Sequence, residues 1–420
     1  MSSPDQEKSV HSNRETPEEE QIGRRTWLTG AVSAMGLTAA GLIAPSILQA
    51  GEQDKADPTR VPGRIPSPYG SRASTETAQR LTTATHSLTP HQVLHGIITP
   101  SALHFERHHN GVPTIDPDQH RLLIHGLVER PLTFSMNEMM RFPSVTRTLF
   151  IECSGNSGKE WNGPTGKTVQ ETHGLMSTSE WTGVPLATVL AEAGIRSETA
   201  WVLAEGSDAA AMTRSLPLKD VIKDALLCYA QNGEMVRPEQ GYPLRLVIPG
   251  WEGNTCIKWL RRLKLGTAPF MTREETSRYT DLMPDGTARQ FTFVMEAKSV
   301  ITSPSGGQRI EPGFVEIRGL AWSGRGKIVT VDVSTDGGVT WQTAQLQEPV
   351  FSHCHTRFRL GWHWTGKDAI LKSRCVDETG YVQPTRAALV AARGIHSSYH
   401  YNAIQSWEVG RDGQVTNVQV

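Results

Sequence analysis

The sequence predicts an α+β body followed by an immunoglobulin-like β-sandwich, and three observations carry that reading. Short strands alternate with helical stretches over residues 86–285. Five short strand-like runs recur over residues 286–420, spaced as in a sandwich. Asp336-Gly337-Gly338 supplies a hairpin turn between two of those runs.

The first fifty residues read as an address. Residues 1–23 are polar and acidic, and Gly23-Arg24-Arg25-Thr26-Trp27-Leu28 then precedes an uncharged run from Ala31 to Ala44. That run falls short of the roughly 20 residues a membrane helix needs. Paired arginines before a short apolar stretch resemble a twin-arginine export signal over residues 1–50. Such a signal implies a periplasmic protein, exported folded, with no membrane span in the mature chain. Folded export suits a chain that takes up a complex cofactor first. Residues 51–85, with Pro58, Pro62, Pro66 and Pro68, read as a Pro-rich linker.

In the α+β body, Pro185 opens a helix at its first position, Leu186, Val189 and Leu190 mark its apolar face, and Gly194 ends it. Asn232-Gly233 is a tight-turn pair, and Leu244, Leu246 and Ile248 give Tyr242 to Pro249 a period of two. The sandwich strands are Phe314 to Leu320, Ile328 to Val333, Thr340 to Leu346, Arg357 to Trp364 and Ala369 to Val376. Trp362 and Trp364 read as packing residues.

Composition excludes some functions. Of 420 residues, 42 are Lys or Arg and 43 Asp or Glu, a net charge of -1 without the basic excess of a nucleic-acid binder. Arg261-Arg262 beside Lys264 reads as a solvated basic patch. Five cysteines are too few for a disulfide scaffold, and free thiols are expected. His353-Cys354-His355 does not read as a metal clip, because in a strand its two imidazoles and its thiol face opposite ways.

Three segments can carry chemistry. Cys153 ends an apolar run and enters a small-residue loop, Phe150-Ile151-Glu152-Cys153-Ser154-Gly155-Asn156-Ser157-Gly158, which places a thiol where it can hold a metal. Phe105-Glu106-Arg107-His108-His109 offers a guanidinium and imidazoles before a turn. Arg245 and Lys258 sit on neighbouring strand-like runs where both can face an anion. Taken singly, these also fit a plain buried cysteine, solvated histidines and surface cations.

Taken together, residues 100–405 resemble the sulfite oxidase family of molybdenum enzymes. The resemblance implies a molybdopterin carrying one molybdenum, with Cys153 of Cys153-Ser154-Gly155-Asn156 as the only protein ligand to the metal. It implies that Phe105, Arg107 and His109 grip the pterin. Gly241-Tyr242-Pro243-Leu244-Arg245 and Ile257-Lys258-Trp259-Leu260 would bind its phosphate through Arg245 and Lys258. Asp208, Gln240 (where the family has a histidine) and Cys256 complete the implied cofactor contacts. Tyr279 stands for the active-site tyrosine and Arg359, in Thr356-Arg357-Phe358-Arg359, for a substrate-facing arginine. The sandwich would be the domain through which the family forms homodimers.

The chain has no Cys-x-x-Cys-His haem motif, so no haem is expected in it and a separate c-type cytochrome subunit is implied as electron acceptor. Ser157 and Gly158 stand where sulfite oxidases carry two arginines. A less cationic, more open pocket suits sulfur presented on a carrier protein. With the ending Ser398-Tyr399-His400-Tyr401-Asn402-Ala403-Ile404-Gln405-Ser406-Trp407, this resembles the sulfane dehydrogenase branch of the family, which oxidises carrier-bound sulfane sulfur during thiosulfate oxidation. Free sulfite as substrate, and an exported binding module without catalysis, are the alternatives.

Overall fold

The computed structural model describes Arg60 and residues 62–420. The twin-arginine stretch and the first part of the linker lie outside the described residues. The chain divides into two units, Met1–Ser71 and Arg72–Val420, and both expected bodies fall in the second.

The α+β body is built on two sheets. In one, Val145–Glu152 pairs with Met176–Pro185, which pairs with Leu226–Gln231, and that strand also pairs with Glu234–Met235 and Arg245–Val247. In the other, the order is Leu132–Ser135, Arg121–Gly126, Leu260–Gly266, Trp201–Gly206 and Thr213–Pro217. Ile124, Trp181, Val184, Leu190, Leu246 and Leu263 share one core between them. Each such side chain taken from water contributes about 1.5–3 kcal/mol.

The helix spans Leu186–Ala193 and buries Leu186, Val189, Leu190 and Ala193; Pro185 is its N-cap, one residue before the expected position. Gly194 ends it at φ 69, a left-handed backbone that glycine adopts without a steric cost. Asn232 and Gly233, at φ 51 and 79, form the two-residue turn joining Gln231 to Glu234. Between Tyr242 and Pro249 only Arg245–Val247 is regular strand. Leu244, Arg245, Leu246, Val247 and Ile248 are all buried, so both faces of this strand are covered.

The sandwich has one sheet of Lys298–Ser303, Gly313–Trp322, Thr356–Trp364 and Gln345–Leu346. Its other sheet holds Gln342–Thr343, Ile328–Ser334, Ala369–Asp377, Ser406–Val409 and Val415–Val418. The expected strand from Thr340 to Leu346 is broken at Ala344. Gln342–Thr343 pairs with one sheet and Gln345–Leu346 with the other, so this segment crosses between layers. Ile317, Leu320, Trp322, Val331, Phe358, Trp364, Leu371 and Trp407 fill the core, with Trp362 packed against it. Phe150, Val169 and Met176 of the α+β body join that core, so the two bodies share packing beside Cys153. All five cysteines are free. Among the described residues no helix is long and apolar enough to cross a membrane.

Candidate active site

Cys153 follows the last residue of the strand Val145–Glu152, whose residues Leu149 to Glu152 are buried. The chain then turns tightly: Asn156 N donates to Cys153 O at 2.8 Å and Gly158 N to Gly155 O at 3.0 Å, with Ser157 at φ 64. A side chain at Gly155 would begin 3.9 Å from the Cys153 sulfur, so glycine leaves the thiol's open side clear. Burial pushes the Cys153 thiol up, while the Gly155 amide and Arg107 pull it down.

The thiol faces a cavity. Its wall contains Phe105, Arg107, His109, Cys153, Asp208, Gln240, Arg245, Cys256, Lys258 and Tyr279. Residues from six separate chain segments therefore meet at one place, and every expected site residue but one is among them.

Part of the cavity wall is cationic. Arg245 is 4 % exposed; its Nη1 donates to Gln240 O at 3.0 Å and to Gln240 Oε1 at 3.1 Å, and its guanidinium lies 5.2 Å from the Trp181 ring centre. Its buried Nε has no hydrogen-bond partner. Gln240 is fixed in turn by donating from Nε2 to Phe105 O at 2.8 Å. Lys258 Nζ lies 2.7 Å from His108 Nδ1, donates to Arg107 O at 3.2 Å and to Glu239 O at 3.3 Å, and sits 4.4 Å above the Trp259 ring. These partners are neutral. Burial therefore lowers the pKa of both cations, Lys258 well below the ordinary lysine value.

Tyr279 ends a single π-helical turn, Glu274–Arg278, and its Oη lies 3.1 Å from His109 Nε2. The Arg214 guanidinium packs 5.0 Å from the centre of the Tyr279 ring, and Arg214 is itself clamped to Glu252 at 2.8 Å and Glu275 at 3.0 Å. Burial, and then the nearby Cys153 thiol, raise the Tyr279 phenol, so it stays protonated as a hydrogen-bond donor. Burial first and Arg107 second lower the His109 imidazole.

Arg359 is the exception and corrects the sequence reading. It is exposed on the outer face of the sandwich strand Thr356–Trp364, with Glu316 at 3.2 Å and Gln347 as partners. Alternation along the strand explains this, because Phe358 and Leu360 take the inward positions. Arg357, on the same face as Arg359, is buried and donates from Nε to Gly96 O.

The cavity also contains residues that no motif singled out, including Met212, Gly253 and Asn254. His108 was in the quoted motif without a role; it supports Lys258, and its Nε2 lies 2.8 Å from Glu106 Oε2. A period of two selects Phe105, Arg107 and His109, but only Glu106–Arg107 is strand, so the alternation stops before His108.

A second opening shares Arg107, His109, Cys153 and Tyr279 with the cavity. Thr83, Thr85, His86, Ser157, Gly158, Lys159, Arg278 and Tyr399 wall it, so it joins the thiol to solvent.

A family model described as the oxidoreductase molybdopterin binding domain matches residues 109–274, and one described as the Mo-co oxidoreductase dimerisation domain matches residues 289–407. Sulfite oxidase of Gallus gallus is 31% identical over 332 residues, covering 72% of this chain and 71% of that protein. The chain belongs to the sulfite oxidase family. Mitochondrial sulfite oxidase of Rattus norvegicus is 33% identical over 340 residues, 74% of this chain, and the matched region spans 61% of that protein's length. An NADH nitrate reductase of Brassica napus is 33% identical over 320 residues, with 34% of its length covered. The crystal structure of the sulfane dehydrogenase SoxCD from Paracoccus pantotrophus superposes with a TM-score of 0.84 at 46% identity, covering 86% of this chain and 96% of that one.

Like its relatives in the sulfite oxidase family, the chain is an enzyme of the molybdopterin oxidoreductase type. The residues fit that cofactor. The buried Arg245 with its orphaned Nε and the half-buried Lys258, both with neutral partners, suit a phosphate, and the Cys153 thiol in the same cavity suits a soft metal in a sulfur-rich set.

Proposed function

We propose that the chain is a molybdenum-dependent dehydrogenase that oxidises sulfane sulfur presented on a carrier protein and passes the electrons to a c-type cytochrome subunit. The observation that carries this reading is the opening beside Cys153, walled by Ser157 and Gly158. Serine and glycine at these two positions add little bulk and no charge beside the thiol, which suits a sulfur atom carried on the end of a polypeptide. The 46% identity to a sulfane dehydrogenase supports the same reading. Each oxygen atom added to sulfur comes from water and releases two protons and two electrons, so an acceptor is required.

Molybdopterin, when bound, supplies the metal that exchanges oxygen and electrons with the substrate. Cys153 would hold the metal. Arg245 and Lys258 would hold the phosphate, while Phe105, Arg107, His109, Asp208, Gln240 and Cys256 would shape the pterin channel. Tyr279, kept protonated, donates a hydrogen bond at the mouth, and His109 beside it can accept or release a proton there. Arg107 draws a negatively charged sulfur species toward the thiol. The sandwich forms the homodimer, and the N-terminal signal delivers the folded chain to the periplasm.

One observation favours free sulfite instead: Arg107, Lys159, Lys167 and Arg278 all line the opening, and a small anion would be drawn to them. Steady-state reduction of cytochrome c with a persulfide-bearing carrier, compared with free sulfite, tests the proposal. Rapid turnover of the carrier and slow turnover of sulfite are expected. Rapid sulfite turnover with an inert carrier refutes the sulfane reading.

A further inference from the structure

The residue before Cys153 is a fully buried carboxylate. Glu152 Oε1 accepts from Lys298 Nζ at 2.7 Å and from Asn156 Nδ2 at 2.9 Å, and Glu152 Oε2 accepts from Trp322 Nε1 at 2.7 Å. Lys298 is 1% exposed, Glu152 0% and Trp322 0%. Both outside donors come from the sandwich. Lys298 opens its first strand, Trp322 closes the second, and the sheet register sets them opposite one another. Strand alternation turns Glu152 toward that domain and Cys153 toward the cofactor cavity.

The same device continues through the loop. Lys298 Nζ reaches Asn156 O at 3.5 Å, and Asn156 Oδ1 accepts from Leu175 N at 3.1 Å. Leu175 O accepts from Cys153 N at 2.9 Å, and His400 N, near the C-terminus, donates to Ser154 O at 2.9 Å. A buried ion pair is a poor source of stability, because desolvation offsets the attraction, and its best-attested use is to fix one arrangement. A carboxylate engaged at both oxygens from a second domain fixes the plane of residue 152, one peptide bond from the thiol.

We propose that Lys298 and Trp322 are positioning residues that act through Glu152 to hold the Cys153 thiol at its place in the cofactor cavity, so that the sandwich sets the geometry of the metal site. This rests on the reading of Cys153 as the metal ligand, and the test separates the two. Full-length Lys298→Met, Trp322→Phe and Val331→Ala variants are prepared without cofactor. Val331 lies in the sandwich core, on the other sheet from Lys298 and Trp322, and serves as the control for stability loss alone. The rate at which Cys153 reacts with a water-soluble thiol reagent is read against thermal stability, with Cys153→Ser as the blank. The other four cysteines are at most 3% exposed, and Cys256, which lines the same cavity, is accounted for by the Cys153→Ser blank.

Labelling roughly five-fold faster or more is expected in Lys298→Met and Trp322→Phe, against a change below about two-fold in Val331→Ala at a similar loss of Tm. Trp322→Phe keeps the charge pair and most of the ring volume, so it reads the clamp even where Lys298→Met folds poorly. The double variant Glu152→Gln/Lys298→Gln, which can rebuild a neutral hydrogen bond, is expected to restore slow labelling. In the loaded proteins, an altered Mo(V) paramagnetic resonance spectrum is expected in both single variants. Labelling that follows Tm equally in all three, or does not change in Lys298→Met and Trp322→Phe, overturns the proposal. An unchanged molybdenum–sulfur shell in loaded Cys153→Ser would overturn the ligand assignment, while the labelling rates still judge the clamp.

Discussion

Arg245→Met should change the stability of the cofactor-free and cofactor-loaded proteins in opposite directions. Arg245 is 4 % exposed, has an unpartnered Nε, and hydrogen-bonds only to the neutral Gln240. In the empty site it is a desolvated cation. The orphaned donor alone costs about 1–3 kcal/mol, and the charge adds several kcal/mol more before its bonds to Gln240 are counted. Methionine fills most of the volume without charge and gives up those bonds, about 1.5–3 kcal/mol, and the stacking on Trp181, about 1–2 kcal/mol. The opposing contributions leave the cofactor-free variant near wild type or up to about 3 kcal/mol more stable. With the phosphate present, losing one charge-assisted bond costs about 1.5–3 kcal/mol, a roughly 10- to 150-fold weaker hold on the cofactor. Urea unfolding of both forms, with molybdenum retention after dialysis, measures each side. A cofactor-free variant destabilised by more than about 3 kcal/mol, with cofactor retention unchanged, would show that Arg245 is structural and refute the reasoning.

Three further outcomes are expected. Tyr279→Phe keeps the ring on Arg214 but loses the hydroxyl beside His109, so kcat should fall by about 10²-fold with molybdenum content unchanged; loss of the metal as well would show a binding role. Burial holds His91 and His104 down to about 3 in the folded chain, against about 6.5 when unfolded. The unfolded state therefore binds more protons between these values. The stability due to each histidine is present above pH 6.5 and is lost as the pH falls toward 3, at up to about 1.4 kcal/mol per pH unit. Denaturant midpoints measured across that range in wild type and His104→Gln should show a shallower slope in the variant. Arg359→Ala should leave turnover within about two-fold of wild type, whereas Arg107→Ala should raise KM by about ten-fold or more, as measured by steady-state kinetics.

The fold was legible wherever periodicity met a turn signal. The strand runs around Val331 and Phe358, the Asp336-Gly337-Gly338 turn and the helix ending at Gly194 all appear in the structure. The strands Lys298–Ser303, Ser406–Val409 and Val415–Val418 were not legible, because they are short and carry polar residues such as Lys298, Ser299 and Asn417. What holds Lys298 inside is Glu152, 146 positions away, and no local pattern encodes that contact.

The cavity wall was readable through motif order, since Cys153, Arg245, Lys258 and Tyr279 each sit in a run with a definite neighbour. Arg359 failed because one cationic strand segment was assigned a direction that only the sandwich register determines. Its neighbour on the same outer strand face, Arg357, is covered by the segment at Gly96 instead. Glu252 and Glu275, the buried partners of Arg214, escaped the sequence reading because a buried charge network has no spacing of its own.

The central claim is that Cys153 holds a molybdenum cofactor at which sulfur is oxidised. Molybdenum X-ray absorption of the purified enzyme and of Cys153→Ser, normalised to metal per chain, tests it most directly. About one molybdenum per chain in the wild type, with one sulfur neighbour lost and turnover abolished in the variant, is the expected result. An unchanged sulfur shell and retained turnover in Cys153→Ser would contradict it.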